Sequence, residues 1–448
     1  MTAPHSVIVV GAGISGLACA YALKKRGVDV LVLEASNSPG GLIRSVEENG
    51  YLFETGPQSF STTPQLGQLI HDLGLSSELV TAPTKAPRYI LINGQLRPVP
   101  LSPGAFLTSS LLSWSTKLSI LRDPFTKSCP PVYDESIADF VRRKFAPELL
   151  DRIVGPFVSG IYAGDPEKIS LRAAFPTIYE AEKSAGSIVR GMKAVARNRS
   201  RPREKPALAS FRRGNQTLVE ALSTMLGDSL RLGADVSRIT KSGDGTLTIA
   251  TETKQFESRE LVLAAPTSVA ASLLQNLAPT AADVLSQIEY APVAIVSFSY
   301  RRSDVSHPLN GFGFLVPRSS NLKLLGAVWN SSLFPNRAPN DQVLLTCFLG
   351  GATDPTTAHL SGSSLADLVH RELTPILGLK SQPVTARVTV YKQAIPQYNL
   401  GHLDRLATIQ SELAKIPCLH LIGNYLKGPA IGTCVEHAQS VAESIRIG

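Results

Sequence analysis

Apolar residues along this chain follow more than one rhythm, and each rhythm predicts a different kind of element. Near the start, Ser6-Val-Ile-Val-Val and Val28 to Leu33 carry short, nearly continuous apolar runs, the pattern of strands covered on both faces. A glycine turn and the start of a helix lie between them. From about residue 57 to 75 the spacing becomes helical, with Leu66, Leu69, Ile70 and Leu73 closed by Gly74. Arg88 to Pro100 then reads as a hairpin turning at Asn93-Gly94. Apolar residues interleaved with Ser and Thr dominate Pro103 to Leu121, and a further helical pattern covers Ser136 to Val158.

The later half returns to strands. Arg212-Arg-Gly-Asn-Gln-Thr-Leu leads into a helix, followed by a short strand through Val236, a hairpin, and the apolar strand Glu260-Leu-Val-Leu-Ala-Ala-Pro, which its proline stops. Alternation over Ala294 to Tyr300, Gly313 to Val316, Leu322 to Val328 and Val343 to Leu349 predicts a separate, mainly antiparallel sheet. Leu419-His-Leu-Ile-Gly-Asn-Tyr and a final helix close the chain. The expected fold class is α/β. A discontinuous Rossmann-like domain is expected over about 1–75, 207–275 and 415–448, a helical insertion over about 100–200, and an antiparallel-sheet substrate domain over about 76–99 and 276–414.

Composition narrows the picture. With 448 residues and 43% hydrophobic content the chain can bury a large core divided among two or three domains. Its five cysteines are scattered at 19, 129, 347, 418 and 434, matching neither a disulfide framework nor metal-ligand spacing; a reducing compartment and no metal are expected. The formal charge of +8 attracts anions in general. The Arg/Lys/Pro-rich stretch from Arg197 to Pro206 reads as an exposed loop, and without interleaved aromatics it does not predict nucleic-acid binding. No apolar run reaches the roughly 18 to 20 residues that cross a bilayer, and the first motif begins too early for a targeting segment. The expected location is the cytoplasm, with attachment to the cytoplasmic face of a membrane left open. Pro103 to Leu121 could lie on such a surface, with Trp114 and the basic Lys117 and Arg122 near headgroups; burial in a helical domain is the preferred reading.

The chemistry begins at Gly11-Ala12-Gly13-Ile14-Ser15-Gly16. Gly11 permits a tight turn, Gly13 lets a pyrophosphate approach the backbone, and Gly16 lets the helix lie close to the sheet. Glu34, ending the second strand, is placed for a ribose diol and opposes a 2′-phosphate. This fingerprint does not separate NAD from FAD. Ser38-Pro-Gly-Gly-Leu-Ile-Arg-Ser does: Gly40 and Gly41 let the backbone pass the pyrophosphate and Arg44 supplies a charged donor. Together with Phe53-Glu-Thr-Gly-Pro-Gln-Ser, this combination resembles the amine-oxidase-like flavoprotein superfamily.

Four narrower motifs resemble the protoporphyrinogen oxidase family: Phe157-Val-Ser-Gly-Ile-Tyr-Ala-Gly-Asp-Pro-Glu-Lys-Ile-Ser, Gly311-Phe-Gly-Phe-Leu-Val-Pro, Ala394-Ile-Pro-Gln-Tyr-Asn-Leu-Gly-His, and Gly423-Asn-Tyr-Leu-Lys-Gly-Pro-Ala-Ile-Gly-Thr-Cys-Val-Glu. The resemblance implies FAD-dependent six-electron oxidation of protoporphyrinogen IX, with dioxygen as acceptor and hydrogen peroxide as product, in haem or other porphyrin synthesis. It implies Arg88 as the partner of a substrate propionate, Gly160 as a substrate-facing backbone position, and Leu315, Val328 and Phe348 as apolar pocket wall. For non-covalent FAD it implies the Gly11–Gly16 turn, Glu34, Ala35, Gly41, Leu42, Arg44, Gly56, Pro57, Gln58, Ser59, Val236, Tyr391, Pro429, Ala430 and Ile431. It is also compatible with membrane-surface association and a homodimer.

Two positions depart from the family pattern: Tyr391 stands where a tryptophan is often found, and Gln58 falls at a variable position. His402, His420 and His437 are far apart, and no acid or base is assigned. A coproporphyrinogen III oxidase is the nearest alternative, an amine oxidase or carotenoid-type desaturase a more distant one, and a non-catalytic FAD-binding interaction protein the alternative of another class.

Overall fold

A computed structural model describes residues 4–197, 207–243 and 245–446. Most of the basic stretch ending at Pro206 lies outside the described residues. Two seven-stranded sheets organise the chain. In the first, His5–Val10 lies between Val30–Leu33 and the long strand Gln255–Leu263, parallel to both. Leu419–Leu421 adds in parallel to the end of that long strand, so residues from both ends of the chain meet in one sheet.

Alternation within the opening strand explains its continuous apolar run. Val7 and Val9 face a core shared with the helices Ile14–Lys25 and Ile431–Ser444, whereas Ile8 and Val10 face Thr267–Leu274 and Pro279–Ser286. Both faces are buried, so neither tolerates polar residues. The helix Pro64–Asp72 starts where Thr63 accepts a hydrogen bond from the Leu66 N–H at 3.3 Å, with proline at its first position. It ends before Gly74, whose φ of +70° is the left-handed region.

The second sheet runs Thr385–Pro396, Tyr290–Arg301, Gln342–Gly350, Leu324–Val328, Gly313–Leu315, Arg88–Ile92, Gln95–Pro98. All its pairings are antiparallel except that of Gly313–Leu315 with Arg88–Ile92. The hairpin turns at Asn93 and Gly94, both with positive φ (51° and 75°), as a two-residue turn matching strand twist requires. One face packs Phe298, Tyr300, Phe314, Trp329 and Leu345 against the helix Gly362–Leu377. The opposite face carries the candidate site. The edge strand Thr385–Pro396 has no clean hydrophobic alternation, because most of its side chains stay partly or fully exposed.

Between these sheets in sequence lies a helical region. The pattern over Ser136 to Val158 is broken: the helix Ile137–Lys144 ends at Phe145, and Pro147 opens the next turn before a π-helical stretch, Leu150–Val154, leads into Gly155–Tyr162. A buried ionic cluster ties the region together. Arg143 bridges Glu135 and Glu182 at 2.8 and 2.9 Å, while Lys144 lies 3.2 Å from both Asp123 and Glu182.

The preferred burial of Pro103 to Leu121 holds only in part. Leu111 and Leu112 are buried, but Trp114, Leu118 and Leu121 remain exposed on the helix Trp114–Arg122. Lys117 corrects the headgroup reading. Its side chain turns inward, and its ammonium donates to the Leu107 and Ser109 carbonyls at 2.8 and 2.6 Å, capping the C-terminal end of the helix Pro103–Thr108. Among the described residues no helix is long and apolar enough to cross a membrane.

Candidate flavin and substrate site

The glycine turn is shaped by contacts that leave no room for side chains. A β-carbon on Gly11 would stand 2.8 Å from the Ala264 carbonyl oxygen, and one on Gly16 would stand 1.9 Å from that of Gly11. Above Gly13 the space is open, with nothing within 4 Å. Gly13 bridges to Gly40, and Gly40 donates its N–H to Ala12 O at 2.8 Å, so the two glycine segments form one wall. Arg44 is exposed and donates to Ser38 Oγ beside that wall. Glu34 reaches back to accept the Ala12 N–H at 2.6 Å, and its other oxygen accepts from Ser36 N and Oγ.

Pro429, Ala430 and Ile431 join this groove from the far end of the sequence, because their helix packs on Ile14–Lys25; within it the Cys434 thiol donates to Gly428 O at 3.7 Å. Burial pushes the Cys434 thiol up to about 11, so it stays protonated at neutral pH. Neither helix has a side chain capping its N-terminus. An open floor over Gly13, two uncapped helix ends and a carboxylate closing the second strand fit a dinucleotide such as FAD. Val236 begins its strand beside a depression of about 330 Å³ that Ser268, Val269 and Ser272 also line.

A second flavin-related segment, residues 54–59, is held almost entirely by buried amides. A β-carbon on Gly56 would come 1.8 Å from Leu42 O, which locks the turn against the Gly41–Leu42 segment. Gln58 is buried; its Nε2 donates to Glu54 O at 2.9 Å and Gly56 O at 2.8 Å, and its Oε1 accepts from Asn330 Nδ2 at 2.7 Å. The Gln58 side chain therefore points into the protein, and this position can meet a flavin only through its backbone. Asn215 Nδ2 donates to Pro57 O at 2.7 Å. Glu54 accepts from Ser45 Oγ and the Asn215 N–H at 2.7 and 2.8 Å. Burial pushes its carboxyl up to about 7, against the pull of these donors and of nearby Arg337. Arg337 is itself 1% exposed and bonds Ser210 Oγ and Phe211 O; burial lowers its pKa.

Glu54, Asn215, Asn330 and Arg337 were not singled out from sequence. A glutamate ending the otherwise apolar Tyr51–Glu54 was the available signal for one of them.

Strand register brings the substrate candidates together. One row across the sheet reads Arg387, Ser297, Thr346, Val328, Gly313, Arg88, and the next reads Thr389, Ile295, Phe348, Gly326, Leu315, Ile90. Positions two apart on a strand share a face, so Arg88, Leu315, Val328 and Phe348 lie on one side, and Tyr391, paired with Val293, lies on it too. Leu315, Val328, Phe348 and Tyr391 are only partly buried. The helix Gly155–Tyr162 crosses this face, with Gly160 against the Leu315 side chain. Arg88 is exposed at the edge, its guanidinium 5.3 Å from the Phe312 ring centre. Arg387, at the other end of the first row, is paired with Glu48.

His402 and His420 are engaged in contacts of their own, and His437 lies on the closing helix Ile431–Ser444. His402 stacks on Tyr398 at 4.2 Å and donates to Tyr425 O, and burial pulls its pKa down to about 4. His420 pairs with Glu260 at 2.9 Å. A separate cleft of about 680 Å³ opens by the Asn93-Gly94 turn, between Asp151, Arg152 and Arg371, away from the glycine turn.

The chain is 38% identical to the chloroplastic protoporphyrinogen oxidase of Nicotiana tabacum, with 98% of this chain and 85% of the relative covered. It is 28% identical to the coproporphyrinogen III oxidase of Bacillus subtilis (strain 168), over 97% of this chain and 96% of the relative. A crystal structure from Exiguobacterium sp. 255-15, provisionally described as a protoporphyrinogen oxidase, superposes with a TM-score of 0.84 at 27% identity, covering 99% of each chain. The family described as flavin containing amine oxidoreductase matches residues 14–446. The chain therefore belongs to the flavin-containing amine oxidoreductase family, whose cofactor is FAD.

Proposed function

We propose that this oxidoreductase removes hydrogen from a porphyrinogen, with protoporphyrinogen IX as the favoured substrate and dioxygen as the final acceptor, yielding protoporphyrin IX and hydrogen peroxide. The observation that carries this reading is the sheet face itself: Arg88, which has no carboxylate partner among the described residues, stands at one end of an apolar wall formed by Leu315, Val328 and Phe348. A broad apolar macrocycle bearing carboxylate arms fits that division. Arg88 would hold a propionate through two donors and fix its direction. Gly160, lacking a side chain, would let the ring plane pass close to the crossing helix. Bound FAD supplies the electron acceptor, and the protein's part is to orient the macrocycle and keep competing reactions out. Similarity to plant protoporphyrinogen oxidases at 38–39% identity supports the choice of substrate over the four-carboxylate alternative. Arg387, the other cation of the row, is already neutralised by Glu48, which also favours the substrate with fewer carboxylates.

The site of action proposed is the cytoplasm, with peripheral attachment to a membrane through the exposed Trp114, Leu118, Leu121 and Phe125. The deciding experiment is anaerobic reduction of the bound FAD by protoporphyrinogen IX and coproporphyrinogen III in parallel, followed by oxygen and a hydrogen peroxide assay. Faster reduction by protoporphyrinogen with oxygen-dependent turnover is expected. Preference for coproporphyrinogen would reassign the substrate, and reduction by neither would sink both porphyrinogen readings.

A further inference from the structure

The Gly56–Ser59 turn is held from two sides by buried amides that belong to different sheets' surroundings. On one side Asn215 opens the helix Gln216–Leu226 and reaches Pro57 O; its own Oδ1 accepts from Ser210 Oγ, which also accepts from Arg337. On the other side Asn330 begins the one-turn helix Asn330–Leu333, two residues after Val328 in the substrate sheet. Its Nδ2 donates to Gln58 Oε1, and both Gln58 amide protons are spent on carbonyls of residues 54 and 56. The donor and acceptor roles around Gln58 are fixed, because its nitrogen faces two carbonyl oxygens and its oxygen faces an amide.

We propose that Asn330 is a positioning residue: acting through Gln58, it sets the conformation of the Gly56–Ser59 turn against the flavin and couples that turn to the Val328 end of the substrate sheet. Without the Asn330 donor, the buried Gln58 oxygen is left without a partner, and the side chain is held from its nitrogen side alone. The Gln58 bonds to Glu54 O and Gly56 O would then loosen, and the turn would lean more on Asn215. This inference rests on the flavin site and not on the identity of the substrate.

The test compares holoenzymes carrying Asn330→Ala, Gln58→Ala and both. Three quantities are read: the FAD dissociation constant, the visible circular dichroism of the bound flavin, and amide hydrogen exchange over residues 54–59. Each single variant is expected to weaken FAD binding roughly tenfold, change the flavin dichroism and speed exchange in the turn. The double variant should be no worse than Gln58→Ala, because the two residues act as one unit. Additive losses, or an Asn330→Ala enzyme with unchanged dichroism and exchange, would overturn the proposal. Asn330→Asp, which preserves shape, guards against a variant that fails to fold: ionisation sets an acceptor against Gln58 Oε1, so FAD affinity should fall as pH rises through about 5 to 9. A pH-independent affinity in that variant would also overturn it. None of these readouts involves a porphyrinogen, so their failure is distinct from failure of the proposed reaction.

Discussion

Leu315 is wedged against Gly160: a β-carbon placed on the glycine would come 2.9 Å from Leu315 Cδ2, and one on Gly326 would come 3.1 Å from the same atom. Two glycines, one on the crossing helix and one on the neighbouring strand, therefore leave the space in which this leucine sits. In Gly160→Ala the leucine must rotate, and the partly open face is the space available to it. We expect KM for protoporphyrinogen to rise about tenfold, with FAD affinity unchanged. Steady-state kinetics beside a flavin titration checks this; a variant that loses FAD instead would place Gly160 in the wrong part of the site.

Arg88 offers a sharper chemical contrast. Arg88→Ala should raise KM by roughly ten- to a hundredfold with a smaller effect on kcat, because it removes carboxylate binding and not electron transfer. Arg88→Lys should recover only part of the loss, since a point charge replaces a two-donor fork. A substrate ester lacking free carboxylates should respond to neither change.

Glu54 should give the folded protein a measurable pH dependence. Its ordinary value of 4.5 is raised to about 7 in the folded state by burial. Between those values the folded chain keeps a proton that the unfolded chain has lost, so stability falls as pH rises through the window and levels off above it. The change from this group is on the order of 3 kcal/mol. Glu54→Gln should flatten that part of the profile, as read by urea unfolding at about pH 5 and about pH 8.

The ionic cluster of the helical region predicts a larger, less conditional loss. Glu182 is fully buried and faces both Arg143 and Lys144. Glu182→Ala leaves two cations short of a partner and should cost about 3 kcal/mol or more. Chemical unfolding followed by circular dichroism measures it, and a loss under about 1 kcal/mol would show that water reaches the cluster readily.

What could be read from sequence divides along physical lines. The apolar run of Val7 to Val10, the glycines at 11, 13 and 16, and the Asn93-Gly94 turn each state their geometry locally, and the structure agrees with them. Alternation revealed the strands around Ala294, Gly313, Leu324 and Val343, because their two faces meet different cores. Thr385–Pro396 gave no such signal, since an edge strand with half-exposed side chains carries no strict period. The inward turn of Lys117 was also hidden: only the placement of the Leu107 and Ser109 carbonyls decides that a lysine is a cap and not a surface charge. Asn215, Asn330 and Arg337 were illegible for the same reason. Each works on a partner more than a hundred residues away in sequence, and no local pattern encodes such a pairing.

Arg88 and Phe348 occupy strands separated by two others, so on the role proposed for them the sheet would act as a length gauge. Neighbouring strands stand about 4.8 Å apart, so three intervals separate the two backbones by roughly 14 Å across the sheet, with a further two-residue offset along the strands. That backbone separation is set by the hydrogen bonds between strands, and side-chain rotation works only around it. A molecule that touches both must be wide and stiff enough to reach, and a smaller one would leave one end of the gauge unread.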